Sequence, residues 1–209
     1  MKQIEFKRRL KEIEQADKRG LSSCSIELAS RLIRDFPDRG RAWFEFALAT
    51  YPLARYVDAI SALRRGLRLC PRSKRYIVHA QFGHLYRQKG EFRRAEAWYR
   101  KALAGNPHEA SWHIFLGALL AVSGRLKEAE AAHREATRCR EGCIDEAYLN
   151  LGMVLRARGR YEEARSCFRK ALKITPTYKE ARLHLRDMEQ VLILTKKNAK
   201  NRMPRTQPA

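Results

Sequence analysis

Between residues 148 and 172, apolar side chains return every three or four positions, the spacing that keeps one stripe on one face of an α-helix. Tyr148, Leu151, Gly152 and Leu155 form a first stripe, and Tyr161, Ala164, Phe168, Ala171 and Leu172 form a second. Gly159 divides them, being the residue type that accepts a left-handed helix cap without strain. Pro176 ends the second, because proline lacks the amide and disfavours a helical residue before it. The pattern predicts a helical hairpin. Three earlier stretches carry the same roles. They are Trp43, Phe46, Ala47, Ala59, Leu63, Gly66 and Pro71; then His79, Phe82, Gly83, Tyr86, Ala95, Tyr99, Ala102 and Pro107; then His113, Leu116, Gly117, Leu120, Ala129, His133 and Ala136.

The punctuation repeats as well. Prolines fall at 37, 71, 107 and 176, with Glu141 where another would sit, so the gaps are 34, 36, 34 and 35 residues. Gly20, Ala54, Gly90, Gly124 and Gly159 each precede their partner in that series by 17 residues. A unit of constant internal phase therefore recurs five times, and the extra residues fall in loops around Arg72–Lys74 and around Gly142–Cys143. Small residues recur where paired helices must touch. Gly152 is expected to face Ala164 and Ala171, bringing the axes to the near end of the roughly 8–10 Å range. Tyr148, Leu151, Leu155 and Phe168 are expected to fill the space toward the next hairpin.

A 34-residue unit with an aromatic, Leu-Gly, Tyr, then Ala, Phe, Ala and Pro resembles the tetratricopeptide repeat. The unit at 145–178 matches nearly every signature position, and 76–109 almost as well; 40–73 and 110–143 depart at several. The first, about 5–38, keeps Gly20 and Pro37, with Ser25, Ala29 and Leu32 in its second-helix slots. The resemblance implies an all-α, right-handed solenoid of about five hairpins over residues 5–178. It implies a C-terminal capping helix over 179–195, carrying Ala181, Leu185, Met188 and Leu192. Residues 196–209 lack periodicity and acidic groups, and read as a basic disordered tail.

In this family the first helices line a concave face, and certain positions of each unit point into it. Carried onto this chain, they are Arg41, Phe44, Leu48 and Tyr51; Ile77, Ala80, His84 and Arg87; Ile114, Ala118, Ala121 and Val122; Leu149, Met153 and Arg156. The third of these sets would make an apolar run, extended by Phe44, Leu48 and Ile77 on one side and Leu149 and Met153 on the other. The arginines would serve as donors to carboxylates. The resemblance thus implies a scaffold that holds a peptide or helix with apolar anchors and acidic residues. Coverage of the patch by the C-terminal helix or a second copy is the alternative. The carboxylate clamp of chaperone-binding members is missing, since its slots hold Phe44, Leu48, Gln81, Ser111 and Phe115. Starting one unit later puts Ala80 and His84 in the opening slots, which fails equally.

Charge adds a rival partner. The 209 residues are 44% apolar and 32% charged, with a formal net charge of +21. Arginines cluster at 64, 65, 68, 72, 75, 93, 94 and 100, with Lys74 and Lys101 among them. That field would attract phosphates, so a nucleic-acid (RNA) partner stands beside the protein one. The aromatics that could stack on bases are mostly needed for packing. Catalysis is not expected: there is no phosphate loop or nucleophile motif, and His84, the one groove histidine, has no orienting carboxylate nearby. No cofactor is expected. Cys24, Cys70, Cys139, Cys143 and Cys167 read as reduced thiols rather than metal ligands, since Cys139 and Cys143 with His133 still lack a fourth ligand. With no signal-peptide pattern after the basic N-terminus and no apolar run beyond Val191–Leu194, the expected location is the cytoplasm, with no membrane contact. Oligomeric state is left open.

Overall fold

The structure is a computed structural model that describes residues 2–202, with side chains through residue 195. Among the described residues it holds eleven α-helices and no β-strand, an all-α helical repeat. They are α1 (Lys2–Lys18), α2 (Ser22–Asp35), α3 (Gly40–Thr50), α4 (Tyr56–Leu69), α5 (Arg75–Gln88), α6 (Phe92–Gly105), α7 (Ala110–Val122), α8 (Leu126–Ala136), α9 (Ile144–Ala157), α10 (Tyr161–Ile174) and α11 (Lys179–Arg202). Successive helices pair as α1/α2, α3/α4, α5/α6, α7/α8 and α9/α10, and α11 packs on α10. The chain forms two compact units, Met1–Pro107 with the first three hairpins and His108–Ala209 with the last two and α11.

Each hairpin turns through a left-handed residue. Gly20, Gly90, Gly124 and Gly159 have φ between +72° and +77°, and Ala54 is driven to +56° in the same slot. The turn geometry is set by the hairpin, so alanine adopts it at a cost that glycine avoids, on the order of 1–2 kcal/mol. One inserted loop contains a short 3₁₀ turn, Arg72–Lys74; in the other, the Glu141 carbonyl accepts a hydrogen bond from the Ala110 amide at 3.0 Å.

The close approach of paired helices differs from the expectation. Gly152 lies nearest the ring of Phe168 rather than Ala164 and Ala171: a Cβ there would stand 2.5 Å from Cε1 of that ring. Gly117 lies in the same way under His133, at 2.6 Å, and Gly83 under Tyr99. The missing side chain on the first helix is thus filled by a ring from the second, whereas Ala164 and Ala171 are the fully buried small positions of the same core. In α3/α4 the arrangement is inverted, with Gly66 on α4 under the Phe44 ring of α3.

The unit that ends the chain closes on α11. Ala181 and Met188 are buried with Leu149, Leu151, Leu155, Cys167 and Phe168, and the His184 ring lies 5.4 Å from that of Phe168. The helix continues past the expected end at 195 to Arg202. No glycine or proline lies between Pro176 and Pro204, so nothing in the chain stops it earlier. Of the expected tail, 203–209 lie outside the described residues.

Candidate functional site

In the first unit the predicted groove positions separate into two groups. Arg41, Phe44 and Ile77 come together around a pocket of about 310 Å³, completed by Gly40, Leu69, Cys70, Pro71 and Lys74. α3 supplies Arg41 and Phe44 one turn apart, and α5 supplies Ile77 from its first turn. The Pro71 loop closes the wall. The floor is apolar because Phe44 is held half-buried against Gly66 and cannot turn away. The Arg41 guanidinium is exposed and paired with Glu45 one turn later, a carboxylate only 2% exposed. Burial pushes the Glu45 carboxyl above the usual carboxylate range, with Arg41 opposing it. Lys74 is exposed. Arg41 and Lys74 thus give an apolar hollow two cationic heads.

The second group is polar. The Tyr51 hydroxyl donates to Gln81 Oε1 at 3.1 Å, joining the end of α3 to α5, and burial pushes its ionisation up. His84 Nδ1 is 2.9 Å from the Tyr99 hydroxyl. Burial, with Arg87 adding to it, pushes His84 down to about 4, and burial pushes Tyr99 up to about 12. Near neutral pH both are uncharged, and the hydrogen bond between them supports packing of α5 on α6. Leu48 is half-buried and Arg87 exposed.

In the second unit the apolar run is smaller than expected. Ile114 is 2% exposed, packed with Ala110, Ala136 and Ala147, and Leu149 is 9% exposed within the core that α11 covers. Both are withdrawn from any free surface because α9 and α11 pack where the carried-over positions would have opened. Met153 is half-buried against the same core. Arg156 is also engaged, donating to His184 Nδ1 and to Asp187 Oδ2 of α11, each at 3.2 Å. What stays accessible is Ala118 and Ala121, half-buried, and Val122, 71% exposed.

Several residues went unread in the sequence. Glu45 and Glu130 are buried carboxylates; Glu130 takes hydrogen bonds from Arg134, Arg158 and Arg160. The i,i+4 spacing of Arg41 with Glu45 and of Glu130 with Arg134 was the available signal. Among the described residues no group of three or more His, Cys, Asp or Glu is gathered as a metal ion needs, and no helix is long and apolar enough to cross a membrane. Cys70 and Cys167 are buried, and burial pushes both thiols up.

Family models described as tetratricopeptide repeat match residues 18–74, 81–142 and 145–178. The protein O-mannosyl-transferase Tmtc1 of Drosophila melanogaster is 33% identical over 62% of this chain, which spans 17% of that relative. A thermophilic TPR protein of Thermus thermophilus shares the fold with a TM-score of 0.64 at 20% identity, over 88% of this chain and 99% of that one. A TPR protein described as having an unusual peptide-binding site superposes at 0.58 and 16% identity, over 86% of this chain and 90% of the other.

Proposed function

Because the chain belongs to the tetratricopeptide repeat family, we propose that it is a protein-binding scaffold, with a peptide or helix of the partner seated on the first-helix surfaces. The observation that carries the reading is the pocket where Arg41, Phe44 and Ile77 converge with Lys74 at its edge. An apolar side chain fills the hollow, and a neighbouring carboxylate meets Lys74 or competes with Glu45 for Arg41. Taken by itself, the second unit leaves a shallower apolar surface at Ala118, Ala121 and Val122. The family's carboxylate clamp has no counterpart in Phe44, Leu48 and Gln81, so the recognised acid belongs beside an apolar residue within the peptide. The peptide-binding description of one structural neighbour supports the choice of ligand class.

A peptide display library panned on the full chain tests this. Sequences pairing a large apolar residue with an adjacent Asp or Glu are expected to enrich. Ile77→Lys, with its thermal midpoint unchanged, is expected to weaken the selected peptides at least about tenfold, because it places a charge in the hollow. Absence of such enrichment, or equal binding by the variant, overturns the reading.

A further inference from the structure

The cations of the two units are handled differently. Residues 108–195 carry fifteen Lys and Arg against twelve Asp and Glu, and eight of the eleven arginines find acids, among them Arg125 with Glu128, Arg134 and Arg160 with Glu130 and Glu163, Arg138 with Glu135, Arg165 with Glu162, and Arg169 with Glu189. Residues 56–107 carry twelve against three. Those three acids are already engaged, Asp58 by Arg55 at 2.7 Å, Glu91 by Lys89 and Arg94 at 2.6 Å, and Glu96 by Arg100 at 2.6 Å. Arg64, Arg68, Arg72, Lys74, Arg93 and Lys101 are all exposed, and among the described residues none has a carboxylate partner. The same architecture is thus largely neutralised internally in one unit and left mostly uncompensated on α4, its following loop and α6 in the other.

We propose that this α4–α6 surface of the first unit, which shares only its edge residue Lys74 with the peptide pocket, binds the phosphodiester backbone of nucleic acid. From Ser61 onward the exposed positions of α4 are Ser61, Arg64 and Arg68, which share one helix face. On α6 they are Phe92, Arg93, Arg94, Ala97, Arg100, Lys101 and Ala104, ahead of the terminal glycine. Small side chains between the cations leave room for a strand to lie close. The large apolar side chains exposed on these helices, Val57 at 81% and Phe92 at 38%, fall in the first turn of each, ahead of the run of cations. Guanidinium forks dominate, and their geometry matches phosphate oxygens. Trp98 is already committed: it stacks on Phe82 at 4.4 Å, and the Lys101 ammonium sits 4.2 Å over its ring. With Trp98 committed and Phe92 the exposed ring of α6, binding is mainly electrostatic and largely independent of sequence.

The test uses the full chain with fluorescent single-stranded RNA and DNA of mixed sequence, titrated at several potassium chloride concentrations, with duplex DNA as a third arm. Six phosphate contacts predict a slope of about −4 in log affinity against log salt for the single strands. The combined variant Arg64→Gln, Arg68→Gln, Arg93→Gln and Lys101→Gln is expected to flatten that slope by about 3 and to weaken binding more than tenfold at low salt. A variant with the same charge loss on α10, Arg165→Gln, Arg169→Gln, Lys170→Gln and Lys173→Gln, is expected to change the slope by less than about 1. Circular dichroism checks that both variants keep the helix content of the parent. No binding at low salt overturns the proposal, as does equal loss in the two variants. Binding of phosphatidylserine vesicles or polyglutamate without binding of any nucleic acid also overturns it.

Discussion

At the scale of single residues, two positions depart from what their slot favours, and each departure has a measurable cost. Ala54 holds the left-handed turn that four glycines hold elsewhere, at φ +56°. Ala54→Gly is therefore expected to raise stability by about 1 kcal/mol, read as a shift in urea midpoint without a change in slope. His133 occupies the slot of Phe168, buried over Gly117 at 1% exposure, and its Nδ1 has no hydrogen-bond partner among the described residues. Desolvation holds it down to about 4 from an ordinary 6.5. The folded state thus resists a proton that the unfolded chain accepts below pH 6.5. Stability is full above that value and declines toward pH 4, by up to about 1.4 kcal/mol per pH unit from this histidine. His133→Phe places over Gly117 the ring that Gly152 already accommodates. It is expected to add about 1 kcal/mol at pH 7 by removing the unpartnered nitrogen. The advantage should grow as pH falls to 5, which thermal melts across that window measure; a pH-independent gain would contradict the assignment.

At the scale of helices, two contacts carry the pairing. Gly152 and Phe168 are one steric unit, so Gly152→Leu is expected to cost about 3 kcal/mol by overpacking. Gly152→Ala combined with Phe168→Leu places in these slots the residues that the second hairpin carries in the corresponding ones, Ala47 and Leu63. It should be more stable than the sum of its single variants by at least about 1 kcal/mol in a double-mutant cycle. Glu130, 6% exposed, ties α8 to Arg158 and Arg160 at the α9–α10 turn. Glu130→Gln is expected to cost about 2 kcal/mol, discounted because its arginine partners are partly solvated, and to speed amide exchange around that turn. The helices and their turns were legible because each rests on a local demand: a stripe of apolar residues, a left-handed φ, a proline. Which side chain meets Gly152 was not, since periodicity names the buried face of a helix but not the residue opposite it. Ile114 and Leu149 were assigned to a free surface for a related reason, because only the packing of α9 and α11 decides whether those positions open to solvent. The Glu130 contacts join residues 28 and 30 apart, beyond any spacing that a single helix encodes.

At the scale of the whole chain, the formal charge of +21 is unevenly compensated, and that makes the response to salt a regional property. Around α4 and α6, exposed cations repel one another with few acids between them, so screening relieves strain in the folded state. In the second unit the exposed ion pairs are attractive and individually small, and screening weakens them. Mobile chloride acts in the same direction on the first unit by associating with its unpaired cations. Raising potassium chloride from about 20 to about 300 mM shrinks the screening length from roughly 20 Å to about 6 Å, below the reach of neighbouring turns. Amide exchange in α4 and α6 is therefore expected to slow several-fold over that range, while exchange in α9 and α10 stays level or quickens. Hydrogen-exchange mass spectrometry on the full chain resolves the two regions in one sample. A uniform response along the chain would mean that the cations of α4–α6 are compensated as fully as those of the second unit, and would remove the physical basis for a phosphate-binding face.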